Sequence, residues 1–181
     1  MPDFGIAAQE KLKNAKVLVV GTGGLGAPLL QYLTAVGVGT IGVIDFDIVD
    51  ESNLQRQVLF GIEDLGKSKT AVAISKLQKQ NPFVHFIEHN LKLDVANALD
   101  IIGNYDVVAD GTDNFPTRYL VNDACVLMGK PNVYASIYRF EGQVSVFNYR
   151  DKAGVLGPNY RDIFPTPPPS GMVPNLSLIH I

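Results

Sequence analysis

The residues able to do chemistry in this 181-residue sequence collect at three places. The first is "GTGGLG", Gly21 to Gly26, which follows the apolar run "KVLVV" and opens a helical pattern. Gly21 suits a tight turn. Gly23 and Gly24 let a ligand approach the backbone, and Gly26 lets a helix pack closely on a strand. The start of that helix offers free backbone amides to a phosphate. An ordinary glycine-rich turn is the plainer reading, but the strand–turn–helix context favours a nucleotide. The second place is "VIDFDIVDESNLQRQ", residues 43–57. Three acids, Asp45, Asp47 and Asp50, close an apolar run, and a polar segment with Ser52 and Asn53 leads to a single arginine, Arg56. Asp45 stands nineteen positions after Gly26 (45 minus 26), where an acid accepts hydrogen bonds from ribose hydroxyls. Its alternative is a solvated acid at a strand end. Lys69, after "GIEDLG", adds a second cation. The third place is "DGTDN", residues 110–114. Asp113 can hold Mg²⁺ on a phosphate oxygen. Equally, Asp113 or Asn114 can cap the helix that follows.

A glycine loop with a ribose acid suits NAD as well as ATP. Two cations at the nucleotide end of a sheet suit a triphosphate, whose charge must be neutralised. A hydride-transfer site needs a nicotinamide pocket and gives no reason for Arg56, Lys69 and Asp113 together. Lys69 alone reads as a solvated lysine, because a helix N-terminus disfavours a cation unless an anion is near. The alternatives are an NAD-dependent oxidoreductase and an inactive nucleotide-binding fragment. Other candidates are weaker. His85 and His89 share one face of a strand without a further ligand, and His180 lies in the tail. Cys125 sits among apolar helical neighbours and reads as core. No cysteines pair in sequence, so no zinc is expected in this chain.

These residues need elements to position them. Apolar residues make up 46% and charged residues 18%, enough for the core of one domain or part of one. Strand-like runs at 16–21, 40–46, 84–90, 106–112, 131–138 and 143–149 alternate with helical patterns at 25–37, 67–82, 94–103 and 114–129. This is the pattern of a parallel sheet covered on both faces. Phe140, Glu141 and Gly142 are expected to form the bend between the last two strands. Residues 150–175 are rich in proline and show no period. The net charge of −3 argues against general nucleic-acid binding. No apolar run is long enough to span a membrane. The N-terminus lacks a signal pattern, and a lone cysteine fits a reducing compartment, so a cytoplasmic protein is expected.

Five motifs in order, "GTGGLG", "IDFDIVDESNLQRQ", "GKSK", "DGTDN" and "RFEGQVSVFN", resemble the adenylating enzymes of the ThiF/MoeB/HesA family, bacterial relatives of the ubiquitin-activating enzymes. The resemblance runs from residue 3 to about 174. It implies a Rossmann-like, mostly parallel α/β adenylation fold with helices on both faces, acting as a homodimer when complete. It implies MgATP-dependent adenylation of the C-terminal Gly-Gly carboxylate of a small ubiquitin-like sulfur-carrier protein, with release of pyrophosphate, in molybdopterin or thiamine-type sulfur transfer. By motif, Gly24 lies against the nucleotide and Asp45 binds its ribose. Asn53, Arg56 and Lys69 contact phosphates, and Asp113 is the Mg²⁺ ligand with Asn114 beside it. Arg56, Lys69 and Asp113 are then the expected catalytic set. No general base is needed, since the carboxylate is already ionised at neutral pH. Many members carry two Cys-x-x-Cys pairs, whereas "GPNYRD" stands here at the first. The expected organisation is one incomplete adenylation domain (1–150), a proline-rich crossover-type loop (151–174) and a tail unlike the family (175–181), truncated at both ends.

Overall fold

In the computed structural model, which describes residues 5–138 and 140–168, a first helix α1 (Ile6–Asn14) precedes the apolar strand β1 (Lys16–Val20). Side chains along β1 alternate between two cores: Val17 and Val19 enter one, Leu18 and Val20 the other. A strand apolar on both faces must be covered on both. Helices α2 (Gly26–Ala35) and α3 (Lys69–Gln80) supply Leu30, Val72, Ala73 and Leu77 to the first core. Helices α4 (Ala98–Gly103) and α5 (Phe115–Met128) supply Ile102, Val121, Ala124 and Cys125 to the second.

Between them runs a six-stranded sheet, completed by β2 (Thr40–Ile44), β3 (His85–His89), β4 (Val107–Asp110), β5 (Asn132–Tyr138) and β6 (Glu141–Phe147). Its order is β3-β2-β1-β4-β5-β6. The first five strands are parallel and β6 runs antiparallel to β5. The fold is therefore the expected Rossmann-like α/β sheet with helices on both faces. Because the chain winds outward from β1 in both directions, a crevice opens at the C-terminal ends of β1 and β4, the switch point where open sheets of this kind bind ligands.

Some local expectations need correction. Of the three residues expected to form the last bend, only Phe140 stands in the turn. Glu141 and Gly142 are already paired, with Tyr138 and Ile137. A glycine attracts a turn assignment, yet an edge strand accepts one. The helix near 94–103 begins at Ala98, because Asp94 holds the preceding residues in a turn through the backbone N–H groups of Ala96 and Asn97. The proline-rich segment contains a short helix α6 (Tyr160–Ile163), capped by Asn159. Tyr160 packs edge-on against Tyr119 of α5 and Phe147 of β6, and its ring also meets that of Tyr134 in β5. Residues 169–174 of the expected loop, and the 175–181 tail with His180, lie outside the described residues.

Candidate active site

The sheet register brings the sequence motifs side by side. Val20 is level with Ile44 on one side and Asp110 on the other. The next residues along the three strands are therefore Gly21, Asp45 and Gly111. Backbone bonds continue the ladder past the strand ends, from Gly21 N–H to Ile44 O (2.8 Å) and from Gly111 N–H to Val20 O (2.9 Å). Gly21 has φ +89°, and a Cβ there would stand 3.2 Å from Gly111 O. A side chain on Gly26 would stand 1.9 Å from Gly21 O, so only glycine lets α2 start against the turn. Gly23 and Gly24 differ. A Cβ on either would meet the protein only at ordinary contact distance, 3.7 Å from Gln57 Nε2 and 3.6 Å from the Arg56 stem. Internal packing therefore does not require these glycines. Both line a cavity of about 500 Å³, which a side chain would reduce. Helix α2 has no side-chain cap, whereas Ser68 caps α3 and Asn114 caps α5. The first-turn amides of α2 thus lack the side-chain acceptor its neighbours have.

The three acids after β2 have three separate partners. Asp45 is half-buried; its Oδ2 accepts from the backbone N–H and the hydroxyl of Thr22, and its Oδ1 from the Asp47 N–H. Asp47 Oδ2 lies 3.1 Å from Lys69 Nζ. Asp50 accepts from the backbone N–H and hydroxyl of Ser52 and caps a one-turn 3₁₀ helix, Glu51–Asn53. Those hydrogen bonds hold its carboxyl below the usual range.

The solvated reading of Lys69 is overturned, since this lysine is only 4% exposed. A buried ammonium group needs an anion. Asp47, distant in sequence but adjacent in space, supplies it. Arg56 is half-buried and donates from Nη1 to Ser52 O at 3.4 Å. Gln57 is buried, donates to Asn53 Oδ1 at 3.1 Å and leaves its own Oε1 without a partner.

At the end of β4, the cap question resolves in favour of Asn114, whose side chain accepts from Thr117 N–H at 2.9 Å. Asp113 is exposed, lines the cavity and is left out of the capping bond. Asp110 is buried and accepts from Thr112 N–H (2.9 Å) and from the Thr112 hydroxyl.

Of the eleven residues expected to bind the nucleotide, Gly21, Gly23, Gly24, Asp45 and Asn53 line this cavity together with Arg56, Lys69, Asp113 and Asn114. Two do not. Gly26 is packed beneath the turn, and Ser52 is tied to Asp50. Sequence reading missed Thr22, Asp47 and Gln57 as supports. Only Asp47 carried a signal, as one of the three acids that follow β2. No group of three metal-binding side chains occurs among the described residues. His89 Nε2 instead lies 2.8 Å from the Tyr105 hydroxyl, and burial lowers its pKa. Cys125 is fully buried, and burial pushes its thiol up to about 12. No helix among the described residues is long and apolar enough to cross a membrane.

The profile of the ThiF family matches residues 1–181. The probable adenylyltransferase/sulfurtransferase MoeZ of Mycobacterium tuberculosis is 59% identical over 97% of this chain, which spans 44% of that protein. The sulfur carrier protein adenylyltransferase of Thermus thermophilus is 54% identical over 97% of this chain, which spans 65% of it. Among solved structures, E. coli MccB with ATP superposes with a TM-score of 0.68 at 36% identity, over 74% of this chain and 39% of that one.

Proposed function

The chain belongs to the ThiF family, and from that premise we propose that it carries the ATP-binding half of a carboxylate adenylation site. The substrate is the C-terminal Gly-Gly carboxylate of a small ubiquitin-like sulfur-carrier protein, and the products are acyl-adenylate and pyrophosphate. The observation that carries this reading is the convergence of buried Lys69, half-buried Arg56 and exposed Asp113 on one cavity beside two glycines that packing does not require. An NAD-dependent oxidoreductase would not need these cations, and adenylyltransferase names among the relatives also disfavour it.

Each residue then has a task. Asp45 receives the ribose. The amides at the start of α2 receive phosphate oxygens, which the helix dipole favours. Arg56 and Lys69 oppose the charge that builds as the carboxylate oxygen bonds to the α-phosphorus and the bond to pyrophosphate breaks. Asp47 keeps the Lys69 ammonium group in place before the nucleotide arrives. Asp113 would hold Mg²⁺, a hard cation suited to one carboxylate plus phosphate oxygens and water; bound there, it would screen phosphate charge. An exposed carboxylate that takes no part in capping α5 fits that ligand. The homodimer, the cytoplasmic location and the division into a 1–150 domain and a 151–174 connection belong to the same proposal.

Pyrophosphate exchange dependent on a Gly-Gly-ending carrier tests it. Arg56→Ala and Lys69→Ala should each cost about 1.5–3 kcal/mol of phosphate interaction, the range for hydrogen bonds to charged groups. Unchanged ATP affinity and exchange in both variants would sink the assignment.

A further inference from the structure

Thr22 lies within the glycine loop but is fully buried and faces Asp45. Its hydroxyl donates to Asp45 Oδ2 at 2.7 Å and its backbone N–H donates to the same oxygen at 2.8 Å. Oδ1 accepts one bond, from Asp47 N–H at 3.0 Å. An ionised carboxylate has about four acceptor sites, two on each oxygen. Three are therefore used inside the protein: both on Oδ2 and one on Oδ1. The ribose of a nucleotide presents two hydroxyls, and one site remains to receive them.

We infer that Thr22 is a positioning residue that sets how Asp45 reads the sugar. By pinning Oδ2 inward with two bonds, it leaves Oδ1 as the single acceptor presented to the cavity. Asp45 then recognises one ribose hydroxyl rather than the pair. This rests on the ribose role of Asp45 proposed above. It adds that the sugar specificity of the site is asymmetric, and that a residue out of reach of the nucleotide enforces the asymmetry. The backbone bond alone would not do so. With only that N–H, Oδ2 would keep a second acceptor site open to the other ribose hydroxyl; the Thr22 hydroxyl fills it, while Asp47 N–H holds Oδ1.

The test compares binding of ATP, 2′-deoxy-ATP and 3′-deoxy-ATP to the full-length protein by calorimetry, in wild type and in Thr22→Val, Thr22→Ser and Asp45→Ala. In wild type, one deoxy analogue should bind within about twofold of ATP and the other about tenfold or more weakly, the loss of one charged hydrogen bond. Thr22→Val keeps shape but removes the hydroxyl, and should shrink that preference by about threefold to tenfold. Thr22→Ser should retain it. The preference is a ratio, so a general loss of packing, which weakens all three ligands alike, does not move it. Equal losses on both analogues in wild type, or an unchanged ratio in Thr22→Val, would overturn the inference. If Asp45→Ala keeps the wild-type ratio, the ribose role of Asp45 itself fails, a result distinct from failure at Thr22.

Discussion

At the end of β2, Asp45 takes the N–H and the hydroxyl of Thr22; at the end of β4, Asp110 takes the N–H and the hydroxyl of Thr112. The two units use the same bonds in different surroundings. Asp45 is half-buried and opens on the cavity, with its second oxygen able to accept more. Asp110 is buried, its second oxygen has no partner, and burial holds its carboxyl above the usual range. The contrast teaches that a threonine–carboxylate pair does not by itself mark a binding site. What matters is whether an acceptor is left facing the cavity. At β4 the pair shapes the loop that carries Asp113; at β2 it shapes the acid itself.

Replacement by alanine should separate the two units most clearly. Asp45→Ala should weaken AMP and ATP alike, by about 1.5–3 kcal/mol in titration calorimetry, because the ribose is common to both. Asp110→Ala should leave the affinity of the folded protein within about threefold but lower its stability by about 1–3 kcal/mol in urea, since two donors of Thr112 lose their acceptor. A well-folded Asp110→Ala protein that lost nucleotide as Asp45→Ala does would erase the distinction.

A smaller effect concerns pH. Because the carboxyl of Asp110 is raised in the folded state, its stabilising contribution is complete below the unfolded value of about 3.8 and is lost as pH rises through the folded value. Asp110→Asn keeps an acceptor for Thr112 and should flatten that decline. Urea midpoints between pH 4 and pH 7 would show the difference from wild type, and identical pH slopes in wild type and Asp110→Asn would contradict it.

The mildest test lies within the β4 loop. Asn114→Ala removes the α5 cap and should cost about 1 kcal/mol of stability. Asp113→Asn should change stability by less than about 0.5 kcal/mol while reducing Mg²⁺-dependent pyrophosphate exchange. Normal exchange in Asp113→Asn would remove Asp113 from the metal site.

Much of the frame was legible because burial on both faces of a parallel sheet writes itself as short, wholly apolar runs, such as Val17–Val20 and Val107–Ala109. The glycine loop and the Arg56 segment were also readable, since each is local. The environment of Lys69 was not. Its burial depends on Asp47, 22 positions away, and only the packed loop brings the two together. Ser52 fell in the expected motif, but its hydroxyl is engaged by the nearest acid. Thr22 gave no signal, because a single threonine between glycines looks the same whether it faces solvent or a carboxylate. Helix α6 is one turn long and held by aromatic contacts from α5, β5 and β6, so no period announces it.

The single cysteine has a practical consequence. Thiolate is the form that reacts, and a thiol raised to about 12 in a closed core forms almost none at neutral pH. In the native state Cys125 should be silent to alkylating reagents. Labelling then requires α5 to lift away from the sheet, so its speed measures how often that helix opens. Because the sequence has one cysteine, the label reports on that event without any engineered probe. Adding nucleotide would reveal whether a ligand held at the start of α2 and at the loop before α5 slows the opening of a helix whose buried face it never touches.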